Sequence, residues 1–372
     1  MTQNLHCSMI HGGLQINLKN DRNQILINQC CLRDDMKPSS GIDNVWQNKS
    51  LIPLRNTNLE NQWAKGCWHC EGNEAAGLTS FRTGMLEKFG HKTNLSGPQR
   101  LDLMFDISCN LACRMCGPDA STFWQRHLTD NHIPFDAPGP DSRVDEMTAI
   151  LKTLDLSNLE MVVFCGGETL LGQSYWRVAE LLTELVPNSQ DQLTVCFQTN
   201  GTMPIAERYY PIIEKCQLVK LHISLDGTGN RFEYQRWPAK WNQVADNILN
   251  LKETLPVNVM FLIEETMNIF NLYYQSELEA WVNDNFSTNR LGDITNHTRH
   301  LAKKEFALDN LSQAYVDAIA HTPLANLIEP GWQENSDNIR TMIAKIQLFD
   351  QIRGEDWRKT FPEVAEFYSK FL

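Results

Sequence analysis

The sequence predicts an α/β fold with a parallel sheet in its middle part and a helical C-terminal region. From residue 101 onward, short apolar segments alternate with segments of helical periodicity, which is typical of β–α–β units. Residues 285–372 show helical periodicity, whereas residues 1–98 are irregular and rich in loops and cysteine. We therefore predict three parts: a small N-terminal module (1–98), an α/β core (99–284) and a helical C-terminal region (285–372).

The N-terminal module is predicted to contain a β-hairpin. Residues 14–18 alternate between apolar and polar side chains, residues 25–27 are apolar, and the polar residues 20–23 between them suit a turn. A short helix is predicted over residues 44–55.

The α/β core contains five predicted β–α units. Strands are predicted at 101–107, 159–164, 193–197, 218–224 and 257–263, and helices near 119–130, 144–153, 173–186, 205–214 and 238–253. A sixth strand is only weakly indicated, at 291–295. Periodicity leaves two architectures open, an open doubly wound sheet and a partial (β/α) barrel.

The C-terminal region is predicted to dock on the core through helices. Ile339, Met342, Ile343 and Ile346 recur at helical spacing, and Asp337 is placed to cap that helix. An aromatic segment follows to the end of the chain. We interpret this apolar stripe as a packing surface, with a wall of a substrate pocket as the alternative.

Composition and charge exclude several classes of function. The formal net charge is −12, so a basic surface for nucleic acid or anionic lipid is not expected. No apolar run approaches the roughly 18 residues that a membrane helix needs, and the first residues lack the pattern of a secretory signal. We therefore expect a cytoplasmic protein that binds neither nucleic acid nor membrane. Its eleven cysteines indicate thiol or metal chemistry rather than disulfides.

Three cysteines follow the first core strand as a C-x3-C-x2-C motif: Cys109, Cys113 and Cys116. Three thiolates on one loop suit three irons of a [4Fe–4S] cluster and leave the fourth iron open to another ligand. A structural zinc ion is a weaker interpretation, because it takes four ligands and no fourth Cys or His completes a familiar zinc spacing. The motif therefore predicts a [4Fe–4S] cluster with an open iron.

This motif, placed after a strand, resembles the cluster-binding loop of the radical S-adenosylmethionine (SAM) enzymes. The resemblance covers roughly residues 100–265 and implies a partial (β/α)6 barrel of the TIM type, with the open iron binding SAM. In that family the residue before the last cysteine is usually aromatic. This chain has Met115 there, which is also large and apolar.

Four further segments resemble the SAM-binding segments of the same family, and they lie at or beyond the ends of core strands. The resemblance implies that a Gly-Gly-Glu turn binds the SAM amino group, that a Thr-Asn-Gly turn lies beside SAM, that a Ser-x-Asp-Gly segment reaches its ribose or carboxylate, and that an arginine binds its carboxylate. These residues are Gly166, Gly167, Glu168, Thr199, Asn200, Ser224, Asp226 and Arg236. Glycines let a backbone approach a ligand, and a carboxylate pairs with an ammonium group. A solvated charge at the start of a helix is the alternative for Arg236.

A second set of cysteines lies in the N-terminal module: Cys7, the tandem Cys30 and Cys31, Cys67 and Cys70. A Cys-x2-Cys pair is a common half of a metal site, and Cys7 with one of Cys30 or Cys31 completes four ligands. The set resembles the auxiliary-cluster modules called SPASM and twitch, although those usually follow the barrel and this one precedes it. The resemblance implies an auxiliary [4Fe–4S] cluster. A structural zinc ion and unligated thiols are the alternatives.

Together, these resemblances imply an enzyme that cleaves SAM reductively to a 5′-deoxyadenosyl radical and abstracts hydrogen from a substrate C–H. Relatives with auxiliary clusters often crosslink, oxidise or epimerise ribosomally made peptides, so a peptide is the first substrate class we expect. A small molecule (amino acid, sugar or nucleoside) is the alternative, and a non-catalytic zinc- or cluster-binding scaffold is the second.

The resemblance also implies partners and one further reactive residue. Flavodoxin or ferredoxin is expected as the electron donor, and a separate protein is a possible means of recognising a peptide. Cys165 lies just before the Gly-Gly-Glu turn and is a candidate hydrogen-atom donor to a substrate radical, with simple packing as the alternative.

Overall fold

The computed structural model describes residues 4–18, 24–33, 35–75, 77–137, 139, 141–286, 297–302, 304–328 and 331–372. The chain divides into two compact units. The first contains residues 1–108, 136–198 and 205–220, and the second contains residues 109–135, 199–204 and 221–372. The predicted boundaries after residues 98 and 284 stay predictions.

Within the described residues, the sheet has nine strands. They are β1 (Gly13–Asn17), β2 (Ile25–Asn28), β3 (Lys37–Ser39), β4 (Arg100–Met104), β5 (Met161–Cys165), β6 (Thr194–Thr199), β7 (Leu218–Ser224), β8 (Val259–Met267) and β9 (His297–Leu301). In the first unit the strand order is β3-β2-β1-β4-β5-β6-β7, and in the second unit β7 is followed by β8 and β9.

Sixteen α-helices are described. Those of the first unit are α1 (Ser8–Gly12), α2 (Ile52–Leu59), α3 (Trp68–Ala75), α4 (Phe81–Phe89), α6 (Val144–Leu151), α7 (Ser174–Leu185), α8 (Ser189–Gln192) and α9 (Tyr210–Glu214). Those of the second unit are α5 (Thr122–Asp130), α10 (Gly229–Gln235), α11 (Trp241–Thr254), α12 (Gln275–Phe286), α13 (Gln313–Ile319), α14 (Ser336–Arg353), α15 (Trp357–Thr360) and α16 (Pro362–Phe367).

The predicted N-terminal hairpin is present, but it extends the main sheet. Strands β1 and β2 pair antiparallel, and β1 also pairs parallel with β4, from Gly13 opposite Arg100 to Asn17 opposite Met104. The predicted turn at residues 20–23 lies outside the described residues. The apolar side chains of β1 therefore pack on the sheet core, which explains why residues 14–18 alternate so clearly.

The predicted α/β fold with a mostly parallel sheet and a helical C-terminal region is confirmed. Strands β4, β5 and β6 pair parallel in sequence order, with helices between them, which is the β–α–β pattern expected from the periodicity. The predicted sixth strand at 291–295 lies outside the described residues. Strand β9 begins two residues beyond that segment and pairs parallel with β8.

The C-terminal helices form an aromatic and aliphatic core within the second unit. Ile339, Met342, Ile343 and Ile346 of α14 are buried there, as their spacing predicts. The predicted cap is wrong, because the Asn335 side chain accepts the hydrogen bond from the start of α14, and the neighbouring Asp337 lies within the first turn. None of the described helices has the length and apolar character to cross a membrane.

Candidate functional site

The three cysteines of the C-x3-C-x2-C motif lie on a loop at the start of the second unit. Cys113 is buried, Cys109 is half-buried and Cys116 is exposed. Two effects raise the pKa of Cys113: a hydrogen bond with the Cys116 thiol, which is the larger, and burial. The charge of Arg236 acts in the opposite direction and lowers it. The thiols are therefore close enough to act on one another, and a buried guanidinium faces them. A donor set of three thiolates fits a [4Fe–4S] cluster with one iron free of protein ligands.

The backbone of this loop is held by the segment that follows α10. The amide N–H of Ala112 donates to the Trp237 carbonyl at 2.8 Å, and the amide N–H of Arg114 donates to the Gln235 carbonyl at 2.7 Å. A groove of about 430 Å³ beside the loop leaves Cys116 accessible. The loop is thus pre-formed by ordinary backbone hydrogen bonds.

Arg236 and Asp226 form a buried ion pair in the second unit. Nη2 of Arg236 lies 2.7 Å from Oδ2 of Asp226, and Oδ1 of Asp226 accepts from the amide N–H of Thr266 at 2.8 Å. Asp226 is fully buried, and its carboxylate holds the arginine. The Nε of Arg236 is also buried and has no hydrogen-bond partner within the described parts of the chain. A buried arginine with a spare donor fits an anionic group such as a carboxylate.

The Thr-Asn-Gly turn after β6 contacts the cysteine loop. The side-chain amide of Asn200 donates to Oδ1 of Asn110 at 2.9 Å and lies 3.9 Å from Sγ of Cys109. Oδ1 of Asn200 accepts from the amide N–H of Thr202 at 3.0 Å, and the hydroxyl of Thr199 accepts from the amide N–H of Gly201. Thr199 and Asn200 are both buried, and Asn200 lies against the cysteine loop.

The Gly-Gly-Glu turn after β5 packs against the last residues before the cysteine loop. A Cβ on Gly166 would lie 2.3 Å from the Asp106 carbonyl oxygen, and one on Gly167 would lie 2.2 Å from that of Ser108. The amide N–H of Glu168 donates to the same Ser108 carbonyl at 2.8 Å. The two glycines are therefore required by close approach of two backbones, a reason that differs from the approach to a ligand expected from sequence.

The side chains of this turn are partly or wholly enclosed in the first unit. Glu168 is fully buried, and its Oε1 accepts from the amide N–H of Leu170 at 3.0 Å. Cys165, the last residue of β5, is half-buried, and its carbonyl accepts from the Tyr175 hydroxyl at 3.1 Å. A buried carboxylate needs cationic or hydrogen-bonding partners, which an ammonium group can supply.

A histidine–glutamate pair on β7 and β8 was not assigned from sequence. Nδ1 of His222 and Oε1 of Glu264 lie 2.5 Å apart, with 18% and 14% of their side chains exposed. Ser224 lies on the same face of β7, because side chains alternate along a strand. A carboxylate on Nδ1 fixes the tautomer of neutral histidine and places its lone pair on Nε2, which suits proton transfer. Only the polar alternation of β7 hinted at this site, since Glu264 comes 42 residues later.

Four cysteines of the N-terminal module line one cavity in the first unit: Cys7, Cys30, Cys67 and Cys70. Burial raises the pKa of the Cys7 thiol to about 11, and the charges of Cys67 and Cys70 act in the same direction. Within the parts of the chain that are described, no three Cys, His, Asp or Glu side chains meet closely enough to hold a single metal ion. Four thiols spread around a cavity fit a cluster, in which each thiolate binds a different iron.

Cys31, the second of the tandem pair, does not line this cavity. Its side chain is exposed and lies near the charges of Arg100 and Asp102 on β4. Both cysteines lie beyond the end of β2, with Cys31 in a turn, and their side chains are hydrogen-bonded to each other, but only Cys30 lines the cavity.

Two buried arginines line the same cavity. Arg33 donates through Nη1 to Sγ of Cys67 at 3.8 Å and is paired with Asp35, and Arg82 is paired with Glu74. Burial raises the pKa of the Cys67 thiol, whereas the charge of Arg33 and its N–H···S contact lower it.

Comparison with known protein families finds a match to the middle part of the chain, less than half of its length. Residues 107–272 match the family model described as the radical SAM superfamily. The predicted radical SAM domain is thereby confirmed for these residues, and members of this superfamily are enzymes. No curated protein sequence matches the chain.

Several solved structures are similar to the chain at low identity. One is "His6 tagged anSMEcpe with bound AdoMet", at 16% identity and a TM-score of 0.38, where the similarity covers 69% of this chain and 62% of that one. Another is Streptococcus suis SuiB bound to S-adenosylmethionine, at 12% identity and a TM-score of 0.40, where the similarity covers 91% of this chain and 69% of that one. SuiB bound to precursor peptide SuiA is similar at 12% identity and a TM-score of 0.39, over 96% of this chain and 75% of that one. The chain thus spans less than two thirds of the first of these structures.

Proposed function

With residues 107–272 as a radical SAM domain, we propose that the protein is an enzyme that cleaves SAM reductively and abstracts hydrogen from a C–H bond of its substrate. The observation that carries the proposal is Arg236, which is buried, acts electrostatically on the cysteine loop and has a spare donor at Nε. A non-catalytic scaffold has no use for such a donor beside its cluster. When bound, a [4Fe–4S] cluster and SAM supply one-electron cleavage of the sulfonium and a 5′-deoxyadenosyl radical.

Each site residue then has a defined task. Cys109, Cys113 and Cys116 hold the catalytic cluster, and Arg236 binds the SAM carboxylate. The buried carboxylate of Glu168 binds the SAM ammonium group. Asp226 acts as a positioning residue, because its carboxylate is engaged by Arg236 and by a backbone N–H. Gly166 and Gly167 shape the turn that carries Glu168, and Thr199, Asn200 and Ser224 complete the binding surface for SAM.

We further propose that Cys7, Cys30, Cys67 and Cys70 hold an auxiliary [4Fe–4S] cluster. Support comes from the cavity that the four thiols share and from the two arginines that line it. Four cysteine ligands would leave no iron open, so the site would suit electron transfer rather than substrate binding. Cys31 has no ligand role in this assignment.

A ribosomally made peptide is the substrate class that we propose, because auxiliary-cluster relatives with this chemistry act on peptides. Oxidising a substrate radical releases one electron and one proton. We assign the electron to the auxiliary cluster and the proton to Nε2 of His222, which Glu264 orients. Where the radical is instead quenched by a hydrogen atom, Cys165 is the donor we propose.

The proposed function is tested by anaerobic reconstitution followed by addition of dithionite and SAM. We expect about eight irons per chain and formation of 5′-deoxyadenosine. Changing Cys109, Cys113 and Cys116 together to Ala should leave about four irons and abolish 5′-deoxyadenosine formation. Cys216→Ala, which alters a buried cysteine outside both sets, is the control and should behave like the wild type. Formation of 5′-deoxyadenosine by the triple variant would disprove the assignment of the loop.

A further inference from the structure

Arg114, between the second and third cysteines of the loop, joins the loop to the C-terminal segment. It is buried, and its Nη2 lies 2.6 Å from Oδ1 of Asp350 and 2.6 Å from Oε2 of Glu355. Its guanidinium carbon lies 4.0 Å from the ring centroid of Tyr234, whose hydroxyl donates to the same Oδ1 of Asp350 at 2.7 Å. One arginine of the loop therefore holds two carboxylates that come more than 230 residues later in the chain.

A second arginine makes a separate contact from the same segment to the loop. Nη2 of Arg353 donates to the carbonyl of Ala112 at 3.0 Å. Its guanidinium carbon lies 4.8 Å from the ring centroid of Trp124 and 4.7 Å from that of Trp237. Asp350 and Arg353 are three residues apart on α14, so they lie on the same face of that helix. This face contacts the loop on both sides of Cys113, at Ala112 and at Arg114.

The stability of the fold does not by itself explain this arrangement. A buried ion pair often contributes little net stability, because removing its charges from water costs as much as their attraction returns. These four charges, two positive and two negative, instead lie beside a loop whose cysteines would carry an iron–sulfur cluster. The reduction potential of such a cluster responds to nearby charge, hydrogen bonds and exposure, and buried charges are weakly screened by salt.

We propose that residues 350–355 fix the position and set the reduction potential of the catalytic cluster through Arg114. The inference rests on the proposed function, because it takes Cys109, Cys113 and Cys116 as the cluster ligands. Reduction adds one negative charge to the cluster. The cation of Arg114 favours that charge, and the carboxylates of Asp350 and Glu355 oppose it. Arg114 and the two carboxylates are positioning residues in this role.

The test is a redox titration with dithionite, following the electron paramagnetic resonance signal that changes when SAM is added. Glu355→Gln removes a negative charge and keeps the shape of the side chain, so the equilibrium for cluster reduction should rise about tenfold, equivalent to about 59 mV. Arg114→Gln removes the cation and should shift the potential in the opposite direction by at least as much. Glu334→Gln and Arg340→Gln make the same chemical changes in ion pairs of the second unit that do not involve the cysteine loop, and they should leave the potential unchanged.

Opposite shifts separate an electrostatic role from a structural one, since a merely loosened loop moves the potential of both variants in the same direction. The proposal is overturned if Glu355→Gln matches the Glu334→Gln control, or if both loop variants shift the same way. Should Arg114→Gln fail to retain iron, Arg114→Lys takes its place: because it keeps the cation, it should leave the potential near that of the wild type while Glu355→Gln raises it, and an equal rise in both would overturn the proposal. A wild-type protein without a SAM-responsive signal would instead disprove the proposed function.

Discussion

Glu168 is a fully buried carboxylate, and a carboxylate pairs with an ammonium group such as that of SAM. We predict that Glu168→Gln weakens SAM binding while leaving both clusters in place. The variant keeps the oxygen that accepts from Leu170 and loses only the charge. A charge-assisted hydrogen bond is worth about 1.5–3 kcal/mol, so the dissociation constant of SAM should rise roughly ten- to one-hundred-fold, measured by equilibrium binding to the reconstituted protein.

The matched control is Glu180→Gln on α7, which changes an exposed carboxylate of the same unit. It should bind SAM like the wild type. If Glu168→Gln also binds SAM normally with full iron content, Glu168 serves the fold and another group holds the SAM amine.

Gly167 is required by the backbone beside it, and this yields a stability prediction. Gly167→Ala places a Cβ 2.2 Å from the Ser108 carbonyl oxygen, so the free energy of unfolding should fall by at least about 1–3 kcal/mol. Gly84→Ala in α4 meets nothing within 4 Å and should raise it by about 0.5–1 kcal/mol. Urea unfolding of the iron-free proteins measures both. A neutral Gly167→Ala would show that the two backbones separate easily.

The sequence predicts which residue types form a site better than it predicts the geometry of that site. The spacing of Cys109, Cys113 and Cys116 is local, so it is visible along the chain. Glu264 was missed because its partner His222 lies on a different strand, and only the fold brings them together. The cap of α14 was assigned two residues too late because Asn and Asp both suit that position, and the choice depends on where the first turn closes.

At the scale of elements, predictions succeeded where the local pattern of a strand is clear and failed where pairing decides. The alternation of apolar and polar residues in β7 gives its bounds directly, Leu218–Ser224. That β1 joins β4 in parallel is not visible in either strand, because edge pairing depends on the tertiary arrangement. The separate N-terminal module expected from sequence is therefore continuous with the main sheet at β1, although its cysteines still share a cavity of their own.

The tandem cysteines after β2 give a matched pair of variants at this scale. Cys30 lines the thiol cavity and Cys31 does not, so Cys30→Ala should remove the ligand of one auxiliary iron and lower the iron content by at least about one per chain, whereas Cys31→Ala should leave it unchanged. Both variants should still form 5′-deoxyadenosine, because the catalytic cysteines are untouched. Iron analysis and Mössbauer spectra of the reconstituted proteins provide the measurement. Equal iron loss in the two variants would mean that the turn can present either thiol.

At the scale of the whole molecule, each compact unit contains one of the two cysteine sets. The first unit holds Cys7, Cys30, Cys67 and Cys70, and the second holds the catalytic loop. The hydrophobic clusters around these sites differ in kind. The cluster at the N-terminal cavity is small and includes Cys7 and Cys30 themselves, whereas the C-terminal core of the second unit is large, aromatic and free of cysteine.

This difference predicts how the molecule responds to loss of iron. Because cluster binding contributes free energy to folding, a region whose small core is built partly from ligands should lose the most stability when iron is removed. We expect chelated protein to show faster amide hydrogen exchange than reconstituted protein in residues 4–12, 28–33 and 64–70. Exchange in α14 and α16 should stay unchanged, since their core contains no ligand. The Cys67→Ala/Cys70→Ala variant lacks only the auxiliary ligands and should reproduce the pattern with its catalytic cluster intact. Equal protection of residues 4–12 with and without iron would mean that the cavity is held by packing alone and that the four thiols are not structural ligands.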